Sequence, residues 1–277
     1  MCFRFVSVHR KLLFSLVCVI LLAGCAIIGK PGIFKKTSKT NSEFIMPYLP
    51  IDVLPKSSEL LPPPPEKNSA AMALDKEMNK DIQKLRGTAR WEMAIMDANL
   101  KFPEAAQTFS CALNAPITEK DTPHLYILLR RSMIDAGLAT FSAKNKYEKK
   151  RPFVVNKKLT CVPDQEDSLR ESGSYPSGHS SIGWAWALIL SELAPDRADA
   201  IFARGRAFGE SRLVCNVHWH SDVVWGRFVG AATVARLHAD PTFCADIEAA
   251  KAELGDVWKK GLKPTRDCDA ESQALKY

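Results

Sequence analysis

The chain lacks the cysteine spacing of a zinc site. Its 277 residues contain no C-x-x-C pair, and the spacings of the eight cysteines match no zinc pattern, which excludes the usual tetrahedral zinc site. No cluster of carboxylates offers the oxygen-rich cage of calcium or magnesium. No segment alternates apolar and polar residues with the period of a strand, and no repeat stands out, which sets aside sheet-built folds and solenoids. Beyond the first 24 residues no apolar run is long enough to cross a bilayer.

What is present reads as a globular body behind a short leader. Apolar residues make up 46% of the chain and charged residues 25%, which is ordinary globular composition. Arg10 and Lys11 precede the apolar run LLFSLVCVILLAG, too short and too early for a membrane span and suited to an export signal. The run ends in Leu22-Ala23-Gly24-Cys25, which resembles the lipobox of bacterial lipoproteins and marks Cys25 for lipidation. Residues 1–24 are therefore expected to be a signal peptide, and residues 25–45 a polar, basic tether between lipid and body. The expected location is the cell envelope, facing the periplasm and held at the outer membrane, with a soluble periplasmic form as the alternative. Loss of the signal removes Arg4, Arg10 and Lys11 and no acid, so the formal charge of +7 becomes +4. That mild balance does not call for a nucleic-acid partner. Five cysteines remain in the body, with room for two disulfides in an oxidising compartment. The pairings expected here are Cys244 with Cys268, and Cys161 with Cys215.

The body is expected to be one all-α domain, a helical bundle over residues 46–262, followed by a frayed tail over 263–277. Pro62 to Pro65 exclude helix and favour an extended strap packed on the body. Helical patterning then runs from Asp75 to Leu85 and from Thr88 to Leu100, where Trp91, Ile95 and Met96 share a face. A helix is expected to open at Pro103 and run through Leu113. Another follows Asp121-Thr122-Pro123, with Leu125, Leu128, Leu129 and Met133 at helical spacing. A loop-like stretch spans 150–176. Further helices are expected at 180–193, 197–210, 222–238 and 241–260.

Within this helical background the stretch SYPSGHSS, residues 174–181, stands directly before the apolar run IGWAWALIL. Ser, Pro and Gly suit a helix start. The unpaired N–H groups of such a start also suit an anion. Two other polar clusters bear on the choice: Lys144 through Arg151-Pro152, and Ser211-Arg212 through His218 to Asp222. Singly, each has an ordinary explanation. Lys144 lies among Lys146, Lys149 and Lys150 on what reads as a solvated face, Arg151 could be a turn residue, Arg212 suits a helix end, and a lone His218 is more often structural. Together they spell K-x6-R-P, P-S-G-H and S-R-x5-H-x3-D in order, separated by 23 and 31 residues.

This three-part pattern resembles that of the phosphatidic-acid-phosphatase and vanadium-haloperoxidase superfamily. The LLPPPP, GSYPSGHSSIGWAWAL and FGESR contexts resemble its bacterial class A non-specific acid phosphatases, over roughly Met46 to Phe243. The resemblance implies a helical-bundle fold and a metal-independent acid phosphatase, without cofactor, acting on phosphate monoesters such as nucleotides and sugar phosphates. The chemistry is consistent with the residue types. Phosphoryl transfer spreads negative charge over three equatorial oxygens, which positioned cations and N–H donors stabilise. Lys144, Arg151 and Arg212 would supply cations, and Ser177 and the backbone of Gly178 neutral donors. His218 would be the nucleophile, forming a phosphohistidine. Asp222, one helical turn on, would hold its other ring nitrogen. His179 would be the general acid, then the base for water, with an acidic optimum. His220 and His124 receive no role.

Inorganic phosphate and vanadate are expected inhibitors, phosphotransfer to other alcohols an expected side reaction, and a homodimer or other homo-oligomer the expected assembly. Two alternatives stay open on sequence: a vanadate-dependent haloperoxidase with His218 as the vanadium ligand, and a non-catalytic phosphate-binding envelope lipoprotein.

Overall fold

Capping residues and helical periodicity organise the chain from its proline strap onward. A computed structural model describes residues 45–276; the expected signal, Cys25 and the tether through residue 44 lie outside the described residues. Thirteen α-helices and no strand occur among the described residues. The first, α1 (Ser57–Leu60), leads into the extended prolines. Leu61 is buried, and the Tyr175 hydroxyl donates to the Pro62 carbonyl at 2.9 Å, so the strap packs on the body.

Helix α2 (Ala70–Ile82) is capped by Ser69, whose side chain accepts the Met72 N–H, as Ser does at an N-cap. Helix α3 (Ala89–Asp97) buries Arg90, Met93, Ala94 and Asp97. The expected apolar face is wrong: Ile95 is 38% and Met96 54% exposed. Tertiary partners decide this, because Arg90 and Asp97 bond to side chains that no local periodicity reveals. The expected helix from Pro103 to Leu113 is also replaced, by a turn, a 3-10 segment (Ala106–Phe109) and the short α4 (Ser110–Leu113). Phe102 and Phe109 both set an edge against Trp186, which folds this segment back over the core.

Helix α5 (Pro123–Leu138) starts with Pro in its first turn and buries Leu125, Leu128 and Leu129. Three short helices follow, α6 (Phe141–Tyr147), α7 (Pro152–Asn156) and α8 (Glu166–Arg170); the last two lie in the stretch expected to be loop. The centre of the bundle is α9 (Gly178–Leu193), buried at Ile182, Ala185, Trp186, Ala187, Ile189, Leu190 and Leu193. A helix so covered must be wrapped by others. It is packed by α10 (Ala198–Val214) and α11 (His220–Leu237), and also by α5 and α12 (Pro241–Lys259). α11 approaches α9 very closely. A Cβ at Gly226 would lie 2.5 Å from the Ser177 carbonyl oxygen, and one at Gly230 would meet that of Ser181. Only glycine permits this contact.

The Cys161–Cys215 disulfide is as expected. Cys268 pairs with Cys111 and not with Cys244. The C-terminal segment forms α13 (Cys268–Ala274) instead of fraying, and Glu271 reaches Arg204 at 3.4 Å. The preference for Cys244 rested on nearness in sequence, whereas the fold brings α4 to the C-terminal helix. Residues from Ile45 onward make one compact unit.

Gly226→Ala is expected to destabilise the fold by about 1–3 kcal/mol, the usual cost of overpacking. Thermal unfolding checks this, and an unchanged melting temperature would contradict the tight α9–α11 contact.

Candidate active site

Four pieces of chain converge at the N-terminal end of α9. The first is the helix start. Ser177 is its N-cap: its Oγ accepts the Ser180 N–H at 3.2 Å and lies 2.9 Å from the Ser180 Oγ. The backbone N–H of Ser177 donates to the Asp222 carbonyl at 2.9 Å, which ties the second motif to the third. Gly178 is the first helical residue, so its N–H belongs to the group that has no partner within the helix.

The second piece is the end of α10. Asn216 follows it at a φ of 62°, a left-handed conformation that Asn tolerates. The turn brings the N–H groups of Val217 and His218 back to the Arg212 carbonyl. The Asn216 side chain is held by Asn79, Asn156 and the Lys158 carbonyl. Arg212 is 1% exposed, and its Nε and Nη1 have no hydrogen-bond partner among the described residues. Ser211 beside it is directed elsewhere, with its Oγ 2.6 Å from Asp97 Oδ2 and accepting from Arg90 Nη1 at 2.9 Å. Asp97 is paired in turn with Arg204 at 2.5 Å. Ser211 thus anchors the end of α10.

The third piece carries His218 and Asp222. Asp222 Oδ2 accepts the Trp219 N–H at 2.8 Å and faces His218 Nδ1 at 3.4 Å. The fourth carries the remaining cations. Lys144 Nζ donates to the Gly173 carbonyl at 2.9 Å. Arg151 donates to the carbonyls of Leu169 and Val217, and its Nη1 lies 3.1 Å from His218 Nε2. A guanidinium only donates, so Nε2 carries a lone pair and the proton sits on Nδ1, towards Asp222. The same reasoning applies to His179. Its Nε2 lies 3.1 Å from the Ala98 carbonyl, which only accepts, so Nε2 bears the proton in the neutral ring. A cleft of about 400 Å³ adjoins Lys144 and Arg151 and is lined also by Asn145, Lys149 and Arg170.

The electrostatics follow from burial of several cations together. Desolvation, then the charge of Arg151, lowers the Lys144 ammonium to about 7. Desolvation lowers Arg151 to about 10, and desolvation with the Arg151 charge lowers Arg212 to about 9. Desolvation also holds both imidazoles well below the usual histidine range. Arg212 adds to this at His179, and Arg151, Lys144 and Arg212 add to it at His218. The site disfavours further positive charge and suits an anion.

The structure therefore brings Lys144, Arg151, Ser177, Gly178, His179, Arg212, His218 and Asp222 to one end of the bundle. Cys25 lies outside the described residues. His220 begins α11, and the backbone N–H of His124 donates to Glu253 at 3.1 Å. Two participants escaped sequence reading. Lys149 Nζ donates to Asp222 Oδ1 at 2.9 Å and to Asp75 Oδ2 at 3.1 Å. In sequence Lys149 is one lysine among four, and Asp75 is one acid on a polar helix; no local signal separates either.

Buried cations around a helix start, with two neutral imidazoles, place this all-α protein among those built to hold a phosphoryl group. Residues 125–243 match the sequence model of the PAP2 superfamily. A non-specific acid phosphatase of Providencia stuartii is 46% identical over 204 residues, covering 73% of this chain and 82% of that protein. A non-specific acid phosphatase of Salmonella typhimurium is 40% identical over 218 residues, covering 78% and 87%. An acid phosphatase of Zymomonas mobilis is 39% identical over 194 residues, covering 70% and 74%. The chain belongs to the PAP2 superfamily, in the family of the non-specific acid phosphatases.

The lowered Lys144 sets the pH range of anion binding. The ammonium is charged below about 7 and loses its proton as pH rises through that value. Affinity for molybdate, whose own charge is constant over this range, is expected to fall about tenfold between pH 6 and 8, the cost of one charge-assisted hydrogen bond. In Lys144→Arg the affinity should stay flat. Titration calorimetry checks both, and a flat wild-type profile would contradict the assignment.

Proposed function

We propose that the protein is a metal-independent acid phosphatase of broad specificity that works through a phosphohistidine. The observation that carries this reading is the Arg151 N–H directed onto His218 Nε2 at 3.1 Å. It leaves a nitrogen lone pair among three buried cations, where a phosphoryl group would be held.

The phosphate monoester replaces Arg151's contact with His218, and its oxygens take the donors of Lys144, Arg151 and Arg212, with the Ser177 hydroxyl and Gly178 N–H. The Nε2 lone pair of His218 forms the N–P bond as the ester P–O bond breaks. The imidazole gains positive charge, which Asp222 stabilises from Nδ1. The leaving oxygen takes a proton from His179. Since burial and cations keep His179 neutral in the free protein, that proton arrives with the substrate, whose monoanion prevails below its second pKa of about 6. Substrate protonation and the Lys144 charge both favour acidic pH. Water then attacks phosphorus, His179 takes its proton, the N–P bond breaks, and phosphate leaves. An alcohol in place of water would yield phosphotransfer. Nucleotides and sugar phosphates are the proposed substrates, with phosphate and vanadate as competing anions.

The proposed setting is the periplasmic face of the cell envelope, through export by residues 1–24 and lipidation of Cys25. The Cys111–Cys268 and Cys161–Cys215 disulfides suit such an oxidising compartment. Cys25→Ser should move the protein from the membrane fraction to the soluble fraction.

Hydrolysis of p-nitrophenyl phosphate from pH 4 to 8 with EDTA present tests the mechanism. Activity is expected to survive the chelator and peak on the acidic side. His218→Ala should reduce it by at least about a thousandfold. His179→Ala should cost about 10²–10⁴-fold with a sugar phosphate, and less with p-nitrophenyl phosphate, whose leaving group needs little protonation. A rapid alkaline quench with labelled substrate should trap acid-labile phosphate on the protein. An active His218→Ala variant would refute the phosphohistidine route.

A further inference from the structure

Behind His218 lies a buried chain of charges that the reaction described above does not use. Lys149 has a side chain 8% exposed, between Asp75 at 2% and Asp222 at 0%. All three of its donors are engaged: Asp222 Oδ1 at 2.9 Å, Ser221 Oγ at 2.9 Å and Asp75 Oδ2 at 3.1 Å. The rings of Tyr175 and Trp219 flank the ammonium, each 5.8 Å away. Asp75 reaches over from α2, 146 residues earlier in sequence. Its Oδ1 accepts the Ser221 N–H at 2.7 Å, and its Oδ2 the Ser221 hydroxyl at 2.6 Å. It thereby satisfies an N–H in the first turn of α11, the helix that presents Asp222.

The arrangement has a charge logic. Asp222 would share its charge between His218 and a bare Lys149, and its hold on the imidazole would weaken. With Asp75 on the other side, the formal charges of Lys149 and Asp75 cancel. Asp222 keeps a full negative charge towards Nδ1, and Lys149 still fixes its far oxygen. Removing one partner of a buried pair leaves an uncompensated charge, whereas removing both does not.

Resting on the proposed phosphohistidine reaction, we infer that Asp75 and Lys149 are positioning residues. Lys149 orients Asp222 against His218, and Asp75 preserves the charge that Asp222 offers to the developing imidazolium. Neither touches the phosphate, so the effect belongs in kcat and not in KM.

A double-mutant cycle tests this with p-nitrophenyl phosphate. Asp75→Asn is expected to lower kcat about tenfold with KM within twofold, because Lys144, Arg151 and Arg212 are untouched. In a Lys149→Met background the same substitution should cost less than about twofold, since no lysine charge remains to be cancelled. Equal costs in the two backgrounds would overturn the inference. So would a loss under twofold for Asp75→Asn alone, or a loss confined to KM. Should a single variant fail to fold, the charge-balanced double variant decides. A kcat at least fivefold below wild type, with unchanged KM and vanadate affinity, supports the positioning role; wild-type kcat refutes it. Wild-type turnover and its loss in His218→Ala are measured alongside. If those fail, the phosphohistidine reading falls; if they hold and the cycle is additive, only the role of Asp75 and Lys149 falls.

Discussion

The structure depends on holding three cations out of water in one place. Lys144, Arg151 and Arg212 repel one another, and burial strips each of its hydration. Among the described residues, no acid forms an ion pair with any of the three. Lys144 and Arg151 lean on backbone carbonyls, and Arg212 keeps donors without a partner among the described residues. Such an arrangement is costly unless an anion completes it. The rest of the site makes sense against that cost. The imidazoles are held neutral, and Asp222 is turned towards His218 on one side and Lys149 on the other.

The scaffold supplies the work that keeps these charges together. α9 is buried along most of its length and cannot shift without disturbing α5, α10, α11 and α12. α11 is drawn onto it by glycines that admit the backbone of Ser177 and Ser181. The end of α10 is pinned by a second buried polar cluster, in which Asp97 meets Arg204 and Ser211, and Arg204 meets Glu271. The Cys111–Cys268 disulfide holds α13, which carries Glu271, to α4. Distant segments thus brace Arg212 from behind.

The helical class and most helix positions were legible because apolar spacing and caps are local signals. Ser177, Pro123 and Asp240 each stand where their helix begins. The motif residues were legible through their order and spacing, which chance does not readily assemble. Errors fell where tertiary partners outweigh periodicity. α3 turns Arg90 and Asp97 inward instead of Ile95 and Met96, because their partners lie on α10. Residues 103–113 fold back around aromatic contacts instead of forming one helix. Cys268 bonds to Cys111, 157 residues away, a distance that spacing cannot weigh.

By itself, then, the sequence determined the helical class, most helix positions and the kinds of side chain available to a phosphoryl group, since propensity, capping and chemical type reside in neighbouring residues. The tertiary structure alone decided which nitrogen of His218 is unprotonated, since that follows from Arg151 lying against it. It alone separated Lys149 from the lysines around it, since only the approach of Asp75 and Asp222 from remote helices makes that cation a buried one.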